Sequence, residues 1–258
     1  MIEDTGHGSG DARSGVASIV EDPELVHRRR GQIVAAATQL FSSRGFYRTT
    51  IKDIAKLAGI SSGLVYQYVR EKEDVLLLVL LHVIDAYARE IPKSLAGVTD
   101  PIGRLLTAID AYCRVIDRHR AGAVLAYRST KSLSPPRRAL IQHKELETNA
   151  LIEAEIRACM RAGLVRKVDL DVLVYQVVLI AHGWALKSWF FKSRVSLDTY
   201  IRESSDIVLS GILTPNGKRR LAAWSRRRKP PRLSTWPSLW PRSPCGARST
   251  ARCCSSCW

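Results

Sequence analysis

The sequence predicts an all-α protein, on three observations. From Pro23 to about Ser210 the apolar residues recur at spacings of three and four. No stretch alternates apolar and polar residues as a half-buried strand does. Gly, Pro and Ser stand where one helix would stop and the next begin, which gives about nine helices.

Taken in order, residues 1–22 are acidic and rich in Gly and Ser, with little to bury, and read as a disordered arm. Ile33, Ala37, Leu40 and Phe41 form one apolar face that ends at Gly45, a helix stop. A short amphipathic piece, Gly59 and a second short piece follow. A long helix then runs from Glu71 to about Leu95, with Pro92 expected to bend or end it. Asp100-Pro101 opens a new helix, with proline in its favoured first turn. Gly122, Leu133–Pro136, Gly163 and Ser193–Ser196 punctuate four further segments. The expected organisation is an arm over 1–22, a first unit over 23–72, a connecting helix over 73–96, a larger helical unit over 97–213 and a tail over 214–258.

Composition narrows the classes. The chain has 258 residues, 46% hydrophobic and 25% charged, enough for a sizeable core. The formal net charge is +16, which points to an anionic partner. That charge is uneven: residues 24–72 carry nine basic residues against three acidic, and residues 217–258 carry eleven basic and none acidic. No apolar run reaches the ~20 residues of a membrane helix, since Val172–Leu186 is interrupted by Gln176 and His182. No secretory signal is visible, and four of the six cysteines lie in the last fourteen residues, so a cytoplasmic protein without a disulfide framework is expected. Three readings of the basic tail stay open. It could bind nucleic acid through arginines interleaved with tryptophans, hold a metal at Cys254-x-x-Cys257, or be an out-of-frame translation of GC-rich DNA. The metal reading lacks a second ligand pair, so no metal site is assigned.

Residues 49–69 read TTIKDIAKLAGISSGLVYQYV. Thr50 can cap a first short helix, with Asp53 as its reciprocal partner. Ile51, Ile54, Ala55 and Ala58 share one face of it, and the small Ala55 allows a second helix to cross closely. Gly59 supplies the left-handed turn, Ile60 plugs the corner, and Ser61 caps the second helix. Leu64, Val65 and Tyr68 continue its inner face, leaving Ser62, Gly63, Tyr66 and Gln67 outward. This is a helix-turn-helix, whose second helix enters a DNA major groove. The outward residues are small or hydrogen-bonding, as base and phosphate contact requires.

The motifs AAxxLFxxxGF (Ala36–Phe46), TTIKDIAKLAGIS (Thr49–Ser61) and GLVYQYVREKEDVL (Gly63–Leu76) resemble the DNA-binding domain of TetR/AcrR-family bacterial transcriptional regulators. The resemblance implies a three-helix N-terminal DNA-binding domain and a C-terminal helical ligand-binding and dimerisation domain. It assigns DNA contacts to Thr50, Ser62, Gly63, Tyr66, Tyr68 and Lys72, to which the outward face adds Gln67. The family often has His and Phe where Tyr68 and Val69 stand here.

The resemblance further implies a homodimer through the helices around 172–191 and 197–209, bound to a palindromic operator and released by a small-molecule effector. The near-continuous apolarity of 172–191 agrees with burial on several sides. HGWALKSWF from His182, and YRxxxxLSPP over Tyr127–Pro136, resemble a subgroup linked to acyl-CoA or lipid catabolism. Polar candidates for an effector pocket are Tyr112, Arg128, Tyr175 and His182, with His119, His143 and Lys187 beside them. Each is also readable as a structural core residue or part of a solvated face. No nucleophile elbow, phosphate loop or metal-ligand spacing is present, so neither catalysis nor a cofactor is expected. A repressor associated with the nucleoid is the resulting expectation, with the bend near Pro92 as its hinge. A helical ligand carrier and an activator stay open as alternatives.

Overall fold

The computed structural model describes residues 15–227. Among them stand eleven α-helices: α1 (Pro23–Arg44), α2 (Ile51–Ala58), α3 (Ser62–Tyr66), α4 (Lys72–Leu95), α5 (Pro101–Arg118), α6 (Arg120–Ser129), α7 (Pro135–Arg161), α8 (Leu170–Leu186), α9 (Ser188–Phe191), α10 (Leu197–Ser210) and α11 (Pro215–Arg227). The predicted all-α class holds. The count exceeds nine because the short α9 is set off from α8 by the non-helical Lys187, and because α11 lies where a disordered tail was expected.

Local chemistry sets most of the helix ends. Asp22 accepts hydrogen bonds from the Glu24 and Leu25 amides, with Pro23 filling the first position of α1. Asp100 and Pro101 repeat the device at α5, where Asp100 accepts from the Gly103 amide at 2.8 Å. Asp169 and Ser196 cap α8 and α10. Gly45 ends α1 at a φ of 87°. Gly122 does not end a helix. It lies inside α6, where a Cβ would come within 2.6 Å of Val83, so its absence lets α6 close on α4. Pro92 does not divide α4 either. It stands in the last turn, and the helix continues to Leu95.

Two apolar cores share α4. Val75 to Leu81, with Ile84, pack with Ile33, Phe41, Ile54 and Val65 of the first three helices. Val83, Tyr87, Ile91 and Leu95 pack instead with Ile102, Ile109, Ile116, Val177 and Ala181. The changeover falls at residues 82–84, about ten residues before Pro92. The first core also takes in Leu125, Leu133 and Ile141, so α6 and α7 brace the N-terminal unit.

Two expected disordered segments are partly built into the fold. Residues 15–22 of the arm lie along the N-terminal unit, with Val16 buried. The buried Arg30 guanidinium needs acceptors and finds them in the Val16 and Tyr68 carbonyls, at 2.7 and 3.2 Å. The Ile19 amide and the Ser18 hydroxyl donate to the Gln67 carbonyl at 2.9 and 3.1 Å. At the other end, α11 runs through the compositional break at Gly217. A Cβ there would meet the Leu164 carbonyl oxygen at 2.0 Å. Trp224 lies so close on Gly103 of α5 that a Cβ would be 2.5 Å from its ring. Residues 1–14 and 228–258, with Cys254-x-x-Cys257, lie outside the described residues.

Candidate nucleic-acid interface and effector core

The helix-turn-helix forms from residues whose conformations are fixed locally. The Asp53 amide donates to the Thr50 hydroxyl at 3.1 Å, and the Thr50 amide donates to the Asp53 carboxylate at 2.9 Å. The Thr50 hydroxyl also donates to that carboxylate at 2.6 Å. These bonds hold the Asp53 carboxyl below its ordinary pKa. Gly59 takes the left-handed conformation, φ 69°, and the Ile60 amide bonds back to Ala55 at 3.0 Å. Ser61 caps α3 by accepting from the Leu64 amide at 3.1 Å.

Of the seven residues assigned to DNA, five present themselves on the surface. Thr50, Gly63, Tyr66 and Gln67 are exposed and Ser62 is half-buried. Tyr66 is the large one, 49% exposed on the outer face of α3. Arg44, Arg48, Lys52, Lys56 and Arg70 of the same unit are exposed as well, Asp53 is engaged in its cap and Glu71 is paired with Arg137. A cationic surface of this kind neutralises phosphates.

The other two are placed elsewhere. Tyr68 is 2% exposed, packed in the N-terminal core, as its inner-face position requires. Its carbonyl receives Arg30. Lys72 turns inward: its ammonium donates to the Phe46, Tyr47 and Thr49 carbonyls at 3.0, 3.4 and 3.0 Å. It also sits 4.5 Å from the Phe46 ring centre. With all three protons engaged, Lys72 is a strut fastening the α1–α2 loop to α4. Tyr47, 76% exposed beside this strut, accepts a hydrogen bond from the Ser132 hydroxyl at 2.9 Å.

In the second unit, Tyr112 and His182 do come together. The Tyr112 hydroxyl lies 3.0 Å from His182 Nε2, and the Tyr127 hydroxyl lies 2.6 Å from Nδ1. Burial pushes the imidazole pKa down to about 4. A neutral imidazole has one donor and one acceptor nitrogen, so one tyrosine donates to it and the other accepts. Burial also raises the Tyr87, Tyr112 and Glu145 pKa values. One turn along α7 from Glu145, the amide nitrogen of buried Asn149 has no partner among the described residues. Sequence reasoning missed Glu145 and Asn149, because polar residues on α7 read as a solvated face. Arg128 is exposed and stands apart from this cluster. Tyr175 is 44% exposed and belongs to an outer stripe with Val172, Leu179 and Leu186. Trp189, Phe190 and Ile207 extend exposed apolar surface onto α9 and α10.

A basic helix-turn-helix joined by one continuous helix to an all-helical second unit defines a DNA-binding transcriptional regulator. Residues 33–79 match the family described as bacterial regulatory proteins, tetR family, and residues 98–212 match the tetracyclin repressor-like C-terminal domain. The chain is 49% identical over 207 residues to the HTH-type transcriptional regulator HbdR of Aromatoleum sp. (strain CIB), covering 80% of this chain and 90% of that protein. It is 32% identical over 170 residues to the HTH-type transcriptional repressor KstR2 of Mycobacterium tuberculosis, 64% of this chain and 82% of that one. The solved KstR2 structure superposes with a TM-score of 0.61 over 76% of this chain and 98% of its own. AibR, solved with isovaleryl coenzyme A and operator DNA, superposes with a TM-score of 0.60 over 69% of this chain and 97% of its own, at 18% identity. The chain belongs to the TetR family of bacterial transcriptional regulators. No helix among the described residues is long and apolar enough to cross a membrane.

Proposed function

We propose that this regulator is a homodimeric repressor that leaves a palindromic operator when a small acyl or lipid-like effector enters its second unit. The carrying observation is the exposed α3 face, Tyr66 and Gln67 beside Ser62, Gly63 and Thr50, in a unit with further exposed cations. Two copies would place α3 in successive major grooves, about 34–36 Å apart. The dimer would form through α8 and α10, where Val172, Tyr175, Leu179 and Ile207 leave apolar surface uncovered. Being cytoplasmic and nucleoid-associated follows from that reading.

The effector reading rests on the Tyr112–His182–Tyr127 cluster. Its groups are hydrogen-bonding; Tyr112 and His182 are buried, the imidazole is held neutral by that burial, and Tyr127 reaches the surface. On α7, buried Asn149 has an unmet donor. Such groups suit a neutral carbonyl or hydroxyl on an apolar body. AibR, solved with isovaleryl coenzyme A, and KstR2, a ketosteroid transcriptional regulator, are of similar fold. The effector can act only by binding the released state better than the operator-bound one.

Fluorescence anisotropy of the full chain on the DNA upstream of its own gene, at several salt concentrations, tests the core of this. The wild type should prefer that DNA over random duplex, and Tyr66→Ala should lose the preference. Weak binding indifferent to sequence and to Tyr66→Ala would favour the ligand-carrier reading. A version ending at Arg227 removes most tail cations while keeping α11.

A further inference from the structure

A cleft of about 350 Å³ opens where the two cores exchange α4. Its floor is aliphatic, formed by Val34 of α1 and by Val79 and Val83 of α4. Its far wall is the α5–α6 junction, Arg118 and His119, and His82 of α4 faces His119 with ring centres 5.2 Å apart. The cleft exists because its near rim is small. A side chain at Gly31 would meet nothing within 4 Å.

Two carboxylates, Glu90 and Asp85, face the two guanidinium groups beside it, and the Arg118 pairing is a long one. Arg118 and Arg89 share one carboxylate, Glu90, at 3.6 and 3.5 Å, both loose ion pairs. Asp85 and His27 act on His82 as well, the first favouring its protonated form and the second opposing it. For His119 the neighbours are His82, Arg118 and Arg89, with Glu90 opposing them. Burial first, then these cations, depress both imidazoles. The cleft offers one half-exposed guanidinium, loosely paired to Glu90, and two imidazoles that an anion would help to protonate.

We propose that this interdomain cleft binds a small organic anion, a carboxylate on a short aliphatic body, separately from the Tyr112–His182–Tyr127 cluster. The carboxylate would meet Arg118 and the imidazole edges, and the aliphatic body would lie on Val34, Val79 and Val83. A molecule seated there touches α1, α4 and the α5–α6 junction together. It wedges the DNA-binding unit against the effector unit at the changeover itself. Binding does not depend on the repressor reading; any effect on operator affinity does.

The test is isothermal titration of the full chain with octanoate, with octanol as the uncharged analogue. Octanoate should bind with a dissociation constant on the order of 1 mM or tighter, one per chain, and octanol at least about tenfold more weakly. Arg118→Gln should weaken octanoate about tenfold, and Gly31→Leu should abolish binding by filling the cleft. His182→Gln should leave it unchanged. Binding at neutral pH should take up protons, seen as a heat that depends on the buffer's ionisation enthalpy. Three results would overturn the proposal: no binding at about 10 mM octanoate, equal affinity for octanol, or binding lost in His182→Gln and kept in the cleft variants. Arg118 lies at the surface, so its variant reports even where Gly31→Leu disturbs α1.

Discussion

Arg137, in the first turn of α7, is ion-paired to Asp74 in the first turn of α4. Its guanidinium also reaches Glu71 at 2.8 Å and Glu73 at 3.1 Å. Asp74 is nearly buried, 3% exposed, and also accepts from the Arg70 and Glu71 amides at 2.8 and 3.1 Å. The Ser134 amide adds a bond to Glu73 at 2.6 Å. The start of α7 thus clasps the turn by which the chain leaves α3.

Removing one partner of a buried pair costs about 3–5 kcal/mol, less where the other charge keeps bonds or reaches water. Arg137→Gln is therefore expected to lower unfolding free energy by about 2 kcal/mol, measured by urea titration. Asp74→Asn with Arg137→Gln should cost less than the sum of the single changes. Because the clasp ties α7 to the exit of α3, Arg137→Gln should also blunt effector-driven release more than operator affinity. Strict additivity of the two substitutions would show that the pair carries no coupling.

Tyr66 and Tyr68 lie two residues apart and should separate binding from folding. Tyr66→Ala removes an exposed side chain, so its melting temperature should stay close to wild type while operator affinity falls at least about tenfold, or ~1.4 kcal/mol. Tyr68→Ala empties a core site and should cost about 3–5 kcal/mol of stability. Lys72→Met, which keeps the aliphatic stem and removes three hydrogen bonds, should be destabilised by about 1–3 kcal/mol. Chemical denaturation beside anisotropy distinguishes the three. A stable, DNA-deficient Tyr68→Ala protein would return that residue to the interface.

These residues also show what the sequence could reveal. The Thr50–Asp53 box, the Gly59 turn, the Ser61 cap and the Asp100-Pro101 start each lie within four residues, so spacing alone exposes them. Tyr68 was legible as an inner-face residue by periodicity; only the family pattern argued otherwise. Lys72 was not legible, since its acceptors lie 23 to 26 residues earlier and meet it only in the folded chain. The strap over residues 15–22 depends likewise on the distant Arg30 and Gln67. Glu145 and Asn149 were hidden because a polar residue facing a core looks locally like one facing water. Composition placed the tail boundary at Gly217, but close packing against Leu164 carries the fold past it.

The helix α11 should be part of the folded unit. Arg220 pairs with Asp100, Leu221 packs against the core, and Trp224 covers Gly103. A chain ending at Asn216 would expose that surface of α5 and should melt several degrees lower, about 4 °C for each ~2 kcal/mol lost in a chain of this size. A chain ending at Arg227 should melt with the full-length protein. Gly103→Ala should behave like the shorter truncation, since its methyl would have to displace the Trp224 ring. Equal melting of all four chains would show α11 to be energetically detached.

The His182 imidazole should make stability fall in acid over a defined window. Burial holds it near a pKa of about 4, against 6.5 for the free group. Between those values the unfolded chain binds a proton that the folded chain refuses, so stability decreases as pH falls. The loss should be about 3 kcal/mol in total, complete near pH 4 and absent above the free-group value. His82 and His119, depressed first by burial, act in the same direction. Glu145 acts in the opposite one: burial raises its carboxyl pKa, so its contribution is full in acid and lost as pH rises. The diagnostic quantity is therefore the difference between wild type and His182→Gln in denaturant unfolding from about pH 7.5 to 4.5. Wild type should be the more stable protein at the upper end, where both tyrosine hydroxyls are satisfied by the neutral ring. Its advantage should shrink steadily toward the lower end. A difference that stays flat across the window would mean that the folded protein takes up this proton as readily as the unfolded chain, and that burial does not hold the ring neutral.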